Sequence, residues 1–547
     1  MRRQLSTYGY IWALVLGAGL IQFACGRSLQ PGSATPTPDR STPLPATLTA
    51  LKPSVPAPTS RSKTPPAAGT VTPGTQAEPL SDAGQEAAML PDARQDLEAL
   101  RNLNRYSIRV DIDYAGHSFA GSERVDITNR EAVALDRLYF RLLPNGGKSY
   151  GGGWLDVSRT AVDGQPVEIH LSLSDTVLEV PLAEPLEVGE SLQVEFDFSG
   201  VVPIDFGSDA DGENGYGIYN FTDGVLALSG WYPILAVYDE QGWNLDPVSA
   251  IGDSVYSDSA LYTVGVTAAD DLVLATTGIE IEAGNARRYA SGPVRDFFMI
   301  MSPEFEVASQ EADGARINSF YLPGNEQAGE KALEVAAGSL QVYNQRFGPY
   351  PYEELDVVEA PMQNALGVEY PGIVLVSSDL YADPSEFTFA VATAHEVAHQ
   401  WWYGVIGNDV FDEPWLDEGL ATYSSNVYFQ QAEGEETYQG YAGYWNQRLQ
   451  ELRDEGRDDV VTRSLSYFEN QENGSSYGTV VYTKGALFFK ALREEIGDQA
   501  FFSGLQSYYQ DHKYGIARTD ALLEAFKTAA GRPLDDLYQE WLYSAQE

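Results

Sequence analysis

Residues 383–404 read DPSEFTFAVATAHEVAHQWWYG, and within them His395 and His399 stand four apart with Glu396 between. The chain has only five histidines in 547 residues, which makes this pairing conspicuous. Asp383 can cap a helix here, Pro384 suits its first turn, Glu386 falls at the third helical position, and Gly404 follows as a stop. On a helix, residues four apart share a face, so both imidazoles can reach one ion. Glu396, turned about 100° from His395, cannot easily ligate that ion but can approach a water on it.

Two protein donors leave zinc under-coordinated, which calls for a third on another element. WLDEGLATY (415–423) supplies Glu418, with eighteen residues between it and His399, at the expected start of a second helix packed on the first. Two neutral imidazoles and one carboxylate leave a fourth position and a site charge of +1, which suits hydrolytic rather than structural zinc. The alternative is two core histidines and two surface glutamates, but a carboxylate buried beside histidines is costly without an ion. Zinc over another divalent ion is inferred from ligand type and the hydrolytic pattern.

HEVAHQWWYG, the eighteen-residue spacer and WLDEGLATY together resemble the signature of the aminopeptidase N family of zinc metallopeptidases, gluzincins with a third glutamate ligand. The resemblance covers about residues 100–547, with its strong motifs confined to 366–485. It implies a multidomain α+β chain, in which an antiparallel, saddle-like β domain precedes a thermolysin-like, mainly α catalytic domain. It also implies that His395, His399 and Glu418 hold one Zn2+ per chain and that Glu396 is the general base. Hydrolysis needs a donor to the developing oxyanion, and a phenol suits that task. Within SYGTVVYTKGALFF, Tyr482 with Lys484 and Gly485 resembles the family's tyrosine motif; Tyr477 is the weaker candidate.

An aminopeptidase must recognise a free ammonium beside the scissile bond, and a carboxylate near the zinc does so economically. By the resemblance, Glu369 in ALGVEYPG is that acid, and Gly367 joins it in contacting substrate. The family motif there runs Gly, any residue, Met, Glu, Asn. This chain has Leu366, Gly367, Val368, Glu369 and Tyr370, so the acid remains while three neighbours differ. The bland alternative for Glu369 is an exposed residue beside an edge strand. Family members usually present a second amine-binding side chain from the β domain, and no counterpart stands out. LSGWYPILAVYD falls in the corresponding region, yet its Trp231, Tyr232 and Asp239 read equally well as packing and turn residues. The chain stops about 65 residues after Tyr482, as expected of a short form without the helical domain that closes the cleft of larger relatives.

Farther from the motif, 329–347, 383–404 and 484–497 carry helical patterns, and 316–547 is read as the catalytic domain. Between 91 and 315 the pattern turns to period two: Ile108, Val110, Ile112 and Tyr114, then Val125 and Ile127, then Leu138, Phe140 and Leu142. This indicates antiparallel β structure. DADGENG (209–215) begins like a calcium loop but has Asn220 where a closing glutamate would stand, so a solvated turn competes with calcium. Residues 26–90, rich in Pro, Thr, Ser and Ala over their first part, are read as a disordered tether. Residues 1–25 form an export signal: Arg2 and Arg3 precede an apolar run from Tyr8 to Ala24 that ends at Cys25, the only cysteine. Either Cys25 is lipidated or the run stays as an uncleaved anchor helix; both predict an extracytoplasmic, membrane-tethered protein.

With 34 Lys and Arg against 79 Asp and Glu, the formal charge is −45, which argues against nucleic acid as a partner. The expected partners are peptide substrates and, through the amino terminus, a membrane; the residues do not give an oligomeric state. The predicted function is a zinc metallopeptidase, foremost an aminopeptidase. The alternatives are an open-cleft endopeptidase of the same fold and a non-catalytic relative that binds peptides or proteins.

Overall fold

Period-two patterning in the first half builds three sheets of four or more strands, beside a two-stranded hairpin, in a computed structural model, which describes residues 83–147, 149–208, 215–253, 255–284, 286–471 and 475–546. Ile108, Val110, Val125 and Ile127 turn inward from the largest sheet, of eight strands, in which Asn104–Asp113 pairs with Ser118–Thr128 and that in turn with Ser191–Val201. Its pairings are antiparallel except between Asn104–Asp113 and Ala260–Thr267, which run parallel. Leu138 and Phe140 belong to one of two four-stranded sheets packed beside it, with Phe140 edge-on to Phe196 at 4.7 Å. The export signal, Cys25, most of the tether and residues 209–214 of the acidic loop lie outside the described residues.

The end of the segment assigned to the tether is an exception to that reading, because residues 83–90 are built into the folded body. Gln85 donates through Nε2 to the Tyr262 carbonyl at 3.2 Å and to Thr263 Oγ1 at 3.0 Å. Leu90 N–H reaches the Pro351 carbonyl at 2.9 Å, Glu353 N–H reaches the Ala88 carbonyl at 3.0 Å, and Met89 is fully buried. These bonds and the buried apolar side chains offset the entropy cost of ordering this segment.

The second half opens with a five-stranded mixed sheet, in the order Glu306–Ala312, Ala315–Tyr321, Glu354–Ala360, Ile373–Ser377, Gly367–Tyr370. It begins at Glu306, ahead of the boundary expected at 316. Gly367–Tyr370 is its edge strand and pairs antiparallel with Ile373–Ser377 only. Helices follow: Glu326–Arg346 between strands, then Phe387–Ala398, Trp415–Ala432, Glu435–Asp454 and Gly485–His512. No helix among the described residues is long and apolar enough to cross a membrane.

The helix that carries HEVAH starts at Phe387, not at Pro384, and Asp383 does not cap it. Asp383 Oδ1 instead accepts the Ser385 N–H at 3.1 Å, which closes a turn ahead of the helix and leaves Glu386 in the extended N-cap conformation. The stop also differs from expectation, since the residue with φ of +113° is Tyr403 rather than Gly404. Helical hydrogen bonding gives way after His399 to a compact turn in which the N–H groups of Gly404, Val405 and Ile406 return to the carbonyls of His399, Gln400 and Trp401.

Candidate active site

Three side chains of the turn after His399 tie the helix to its surroundings. Gln400 Nε2 donates to the Tyr370 carbonyl at 2.9 Å while its Oε1 accepts the Gly372 N–H at 2.7 Å, which fixes the edge hairpin against the helix end. Trp401 Nε1 donates to the Gly348 carbonyl at 2.8 Å, and Trp402 Nε1 donates to Ser424 Oγ at 3.0 Å on the next helix. That helix enters with Trp415 and places Glu418 in its first turn. Glycines follow both Glu418 and Lys484: a Cβ on Gly485 would lie 3.2 Å from the Cα of Gly419, so the backbones bearing Glu418 and Tyr482 approach closely there and an added methyl would press them apart.

The result is a tight triangle of donors. His395 Nε2 and His399 Nε2 are 3.1 Å apart, and Glu418 Oε2 lies 3.3 Å from the first and 3.4 Å from the second. Ligands about 2.05 Å from a tetrahedral zinc are separated by about 3.3 Å, so the three edges fit such an ion. His399 Nδ1 faces the Trp402 carbonyl at 3.0 Å and His395 Nδ1 faces Thr422 Oγ1 at 3.5 Å, which directs the Nδ1 protons outward and the Nε2 lone pairs into the triangle. Three buried lone pairs then converge, an arrangement that requires positive charge between them. The electrostatics of the buried groups make the same demand. Burial opposes charge on His399, yet Glu418 holds it up to about 10; burial alone would raise Glu418, yet the two histidines pull it down to about 2. On His395 burial prevails, and its value is lowered. The donor set therefore fits a divalent cation of the zinc type.

Glu396 is buried on the cleft side of the helix with Oε2 unpartnered, and burial pushes it up to about 8 against the attraction of His399. A cation at the triangle would favour its ionised form. Room for this carboxylate comes from Gly367, where a Cβ would lie 2.3 Å from Glu396 Oε1. Tyr482 stacks on the His395 ring at 5.9 Å and its hydroxyl donates to Glu418 Oε1, so the phenol reaches the donor triangle. Tyr477 packs edge-on to Tyr482 at 5.5 Å and does not line the cleft.

The cleft has about 780 Å³ of empty volume, counting solvent at its mouth, and no Lys or Arg among its described lining. Glu369 is 6% exposed with Oε1 unpartnered, which excludes the reading of it as an exposed edge residue. Burial raises its carboxyl well above the ordinary range, and nearby Asp253, Glu396 and Glu418 raise it further. Its partner across the cleft is Asp253 of the β half, which burial lifts to about 6 with help from Glu418 and against a hydrogen bond to Glu369. Sequence reading missed Asp253. It stands in AIGDSVY with no motif around it, and only the need for a second acid could have prompted a search. Trp231 and Tyr232 are fully buried, with Trp231 Nε1 donating to the Phe297 carbonyl at 2.8 Å, while Asp239 lies on a short hairpin with its Oδ1 accepting the Gln241 N–H; none of the three lines the cleft. Ser149, Tyr216, Ile218, Ser229 and Val255 complete the wall from the β half.

The family model for the peptidase family M1 domain matches residues 331–541. Aminopeptidase 2 of Candida albicans is 25% identical over 300 residues, 51% of this chain and 32% of its own length. Aminopeptidase M1 of Arabidopsis thaliana is 25% identical over 243 residues, 43% of this chain and 27% of its own. The matches thus span about a third or less of these curated relatives. Among solved structures, the M1 zinc metallopeptidase from Deinococcus radiodurans has a TM-score of 0.60 at 21% identity, covering 82% of this chain and 94% of that one. A mutant of it bound to a Tyr-Ser-Ala substrate has a TM-score of 0.58 at 22% identity, covering 81% and 94%. At such identities the likeness is one of fold, and the fold is the two-part arrangement of β sheets followed by a helical half.

Proposed function

We propose that the chain is a zinc-dependent metallopeptidase that removes residues from the amino ends of peptides, a reading supported by the match of residues 331–541 to the family model for the peptidase family M1 domain. The observation that carries this reading is the donor triangle of His395, His399 and Glu418, with edges of 3.1, 3.3 and 3.4 Å, beside an unpartnered Glu396 and facing the Asp253–Glu369 pair. The tripeptide bound by the Deinococcus radiodurans relative supports peptides as the substrate class.

His395, His399 and Glu418 would hold a zinc ion, which would supply Lewis acidity and lower the pKa of a bound water. Glu396 accepts a proton from the water that attacks the peptide carbonyl carbon and passes it to the amide nitrogen as the C–N bond breaks. Tyr482 turns its hydroxyl from Glu418 to the oxygen on which charge develops. Glu369 and Asp253 hold the free ammonium, with at least one of them ionised once a cation lies between them. With Gly367–Tyr370 at the edge of its sheet, the outer side of that strand, short of the Tyr370 carbonyl that Gln400 holds, can pair with an extended peptide.

The amino-terminal reading belongs to the same proposal: Arg2, Arg3, the apolar run to Ala24 and Cys25 would place the folded body outside the cytoplasm on a tether. Metabolic labelling with a fatty acid, abolished by Cys25→Ser, would establish lipidation; label that persists in the variant would reject Cys25 as its site.

The aminopeptidase assignment is tested with one peptide in free and amino-acetylated forms. Acetylation should suppress cleavage at least about a hundredfold, and Glu369→Ala should erase most of the difference. Equal cleavage of both forms by the unaltered protein would favour the open-cleft endopeptidase.

A further inference from the structure

Tyr482 sits in an unusual piece of backbone. Residues Gly478–Lys484 form a π-helical segment that continues into the Gly485–His512 helix. Such segments are rare because their hydrogen bonding is poorer than that of an α-helix, and they persist where other contacts hold them. Here the holding contact is Lys484. Its side chain is 0% exposed, and its three N–H groups find three acceptors: Asp458 Oδ1 at 2.8 Å, the Asp459 carbonyl at 2.7 Å and the Ser544 carbonyl at 2.9 Å. Asp458, 1% exposed, accepts from Arg453 Nε at 3.2 Å and from the Gln546 N–H at 2.9 Å through its other oxygen. The Val461 N–H meets the Leu542 carbonyl at 3.1 Å, which fastens the same two strips of chain a second time.

We propose that Lys484, Asp458 and the segment Leu542–Gln546 form a clamp that keeps residues 478–484 in the π-helical register and so aims the Tyr482 hydroxyl at the donor triangle. Lys484 is a positioning residue: it lies two residues beyond Tyr482, does not line the cleft, and ends in a fully satisfied ion pair with Asp458. Release of its ammonium removes the contact that opposes relaxation to α-helical pitch, and that relaxation rotates the Tyr482 side chain away from Glu418. On the facing side Gly485 already touches Gly419, so the segment is held on one face by the clamp and on the other by the helix that bears Glu418. The kinetic part of this inference rests on the reading of Tyr482 as the oxyanion donor; the structural part does not.

The test uses the full chain with 3-fluorotyrosine at position 482, in Lys484→Met and in the milder Asp458→Asn. The 19F resonance should shift in both variants, with zinc content retained and KM within about twofold, while kcat falls about tenfold or more in Lys484→Met. In a Tyr482→Phe background Lys484→Met should cost little more, because the two changes act through one group. A resonance that stays in place in folded Asp458→Asn and Lys484→Met overturns the clamp, even if activity falls. Full multiplication of the two rate losses also overturns it. If Lys484→Met fails to fold, Asp458→Asn decides by the same resonance. A shifted resonance with kcat unchanged in Tyr482→Phe supports the clamp and counts instead against the catalytic role of Tyr482.

Discussion

Glu396 owes its position to an absent side chain. With a Cβ on Gly367 falling 2.3 Å from Glu396 Oε1 and 2.5 Å from its Cδ, Gly367→Ala must push the carboxylate aside while leaving the donor triangle alone. A misplacement of about 1 Å at a reacting group costs about a hundredfold in rate. Gly367→Ala should therefore lower kcat by about that factor with zinc still bound, as steady-state kinetics and metal analysis would show. Glu396→Gln keeps the shape but removes the proton acceptor, so it should lose about 10²–10⁴ in kcat, again with metal retained. Turnover unchanged in Glu396→Gln would remove that carboxylate from the reaction. The meeting of His395, His399 and Glu418 was legible because helical spacing dictates a shared face and the second motif lies in a first turn. Asp253 was not legible, since its significance arises only where an irregular stretch of the β half is laid against the edge strand that bears Glu369.

Between residue and molecule, the edge hairpin and the turn after His399 act as one element, joined by Gln400. Gln400→Leu is close in volume but leaves the Gly372 N–H and the Tyr370 carbonyl without their partner. The Gly372 N–H so orphaned costs about 1–3 kcal/mol, with a smaller loss at the Tyr370 carbonyl. The thermal midpoint should fall accordingly, and KM should rise more than kcat falls, because the strand that bears Gly367 and Glu369 loosens while Glu396 and the triangle stay. Unchanged KM would mean that the hairpin holds its place without Gln400. At this scale legibility divides by the kind of force. Alternation at Ile108, Val110, Val125 and Ile127 revealed strands, because burial on one face imposes a period of two. The start of the Phe387–Ala398 helix was misplaced because Asp383 had a competing local partner in Ser385. The π-helical register of Gly478–Lys484 was invisible because a pattern of apolar residues does not record contacts made by one buried lysine.

For the molecule as a whole, the balance of 34 basic against 79 acidic residues sets how stability responds to pH. Self-repulsion among carboxylates grows as they ionise, and buried acids add a second effect of the same sign. Asp296 is 2% exposed with Oδ1 unpartnered, and burial lifts it to about 7 despite the opposing charge of Arg295, with Asp253 contributing further. Because the folded value lies above the unfolded one, the folded state binds more protons between about pH 4 and 7. Its contribution is fully present below about pH 4, is lost as pH rises to about 7, and changes no further above that. Glu123, 2% exposed with both oxygens unpartnered, is raised well above its ordinary value by burial and acts in the same direction. Denaturant unfolding of the zinc-free protein, which avoids the pH dependence of metal binding, should therefore show greater stability at pH 5 than at pH 8, by a few kcal/mol for Asp296 alone on the linkage relation. Salt separates the two causes, because molar sodium chloride screens exposed charges but not a buried carboxylate. In high salt the slope should shrink without vanishing. Asp296→Asn should then flatten it further by raising stability at pH 8 while leaving pH 5 almost unchanged; an equal gain at both values would show that the asparagine acts through packing and not through the proton that Asp296 holds.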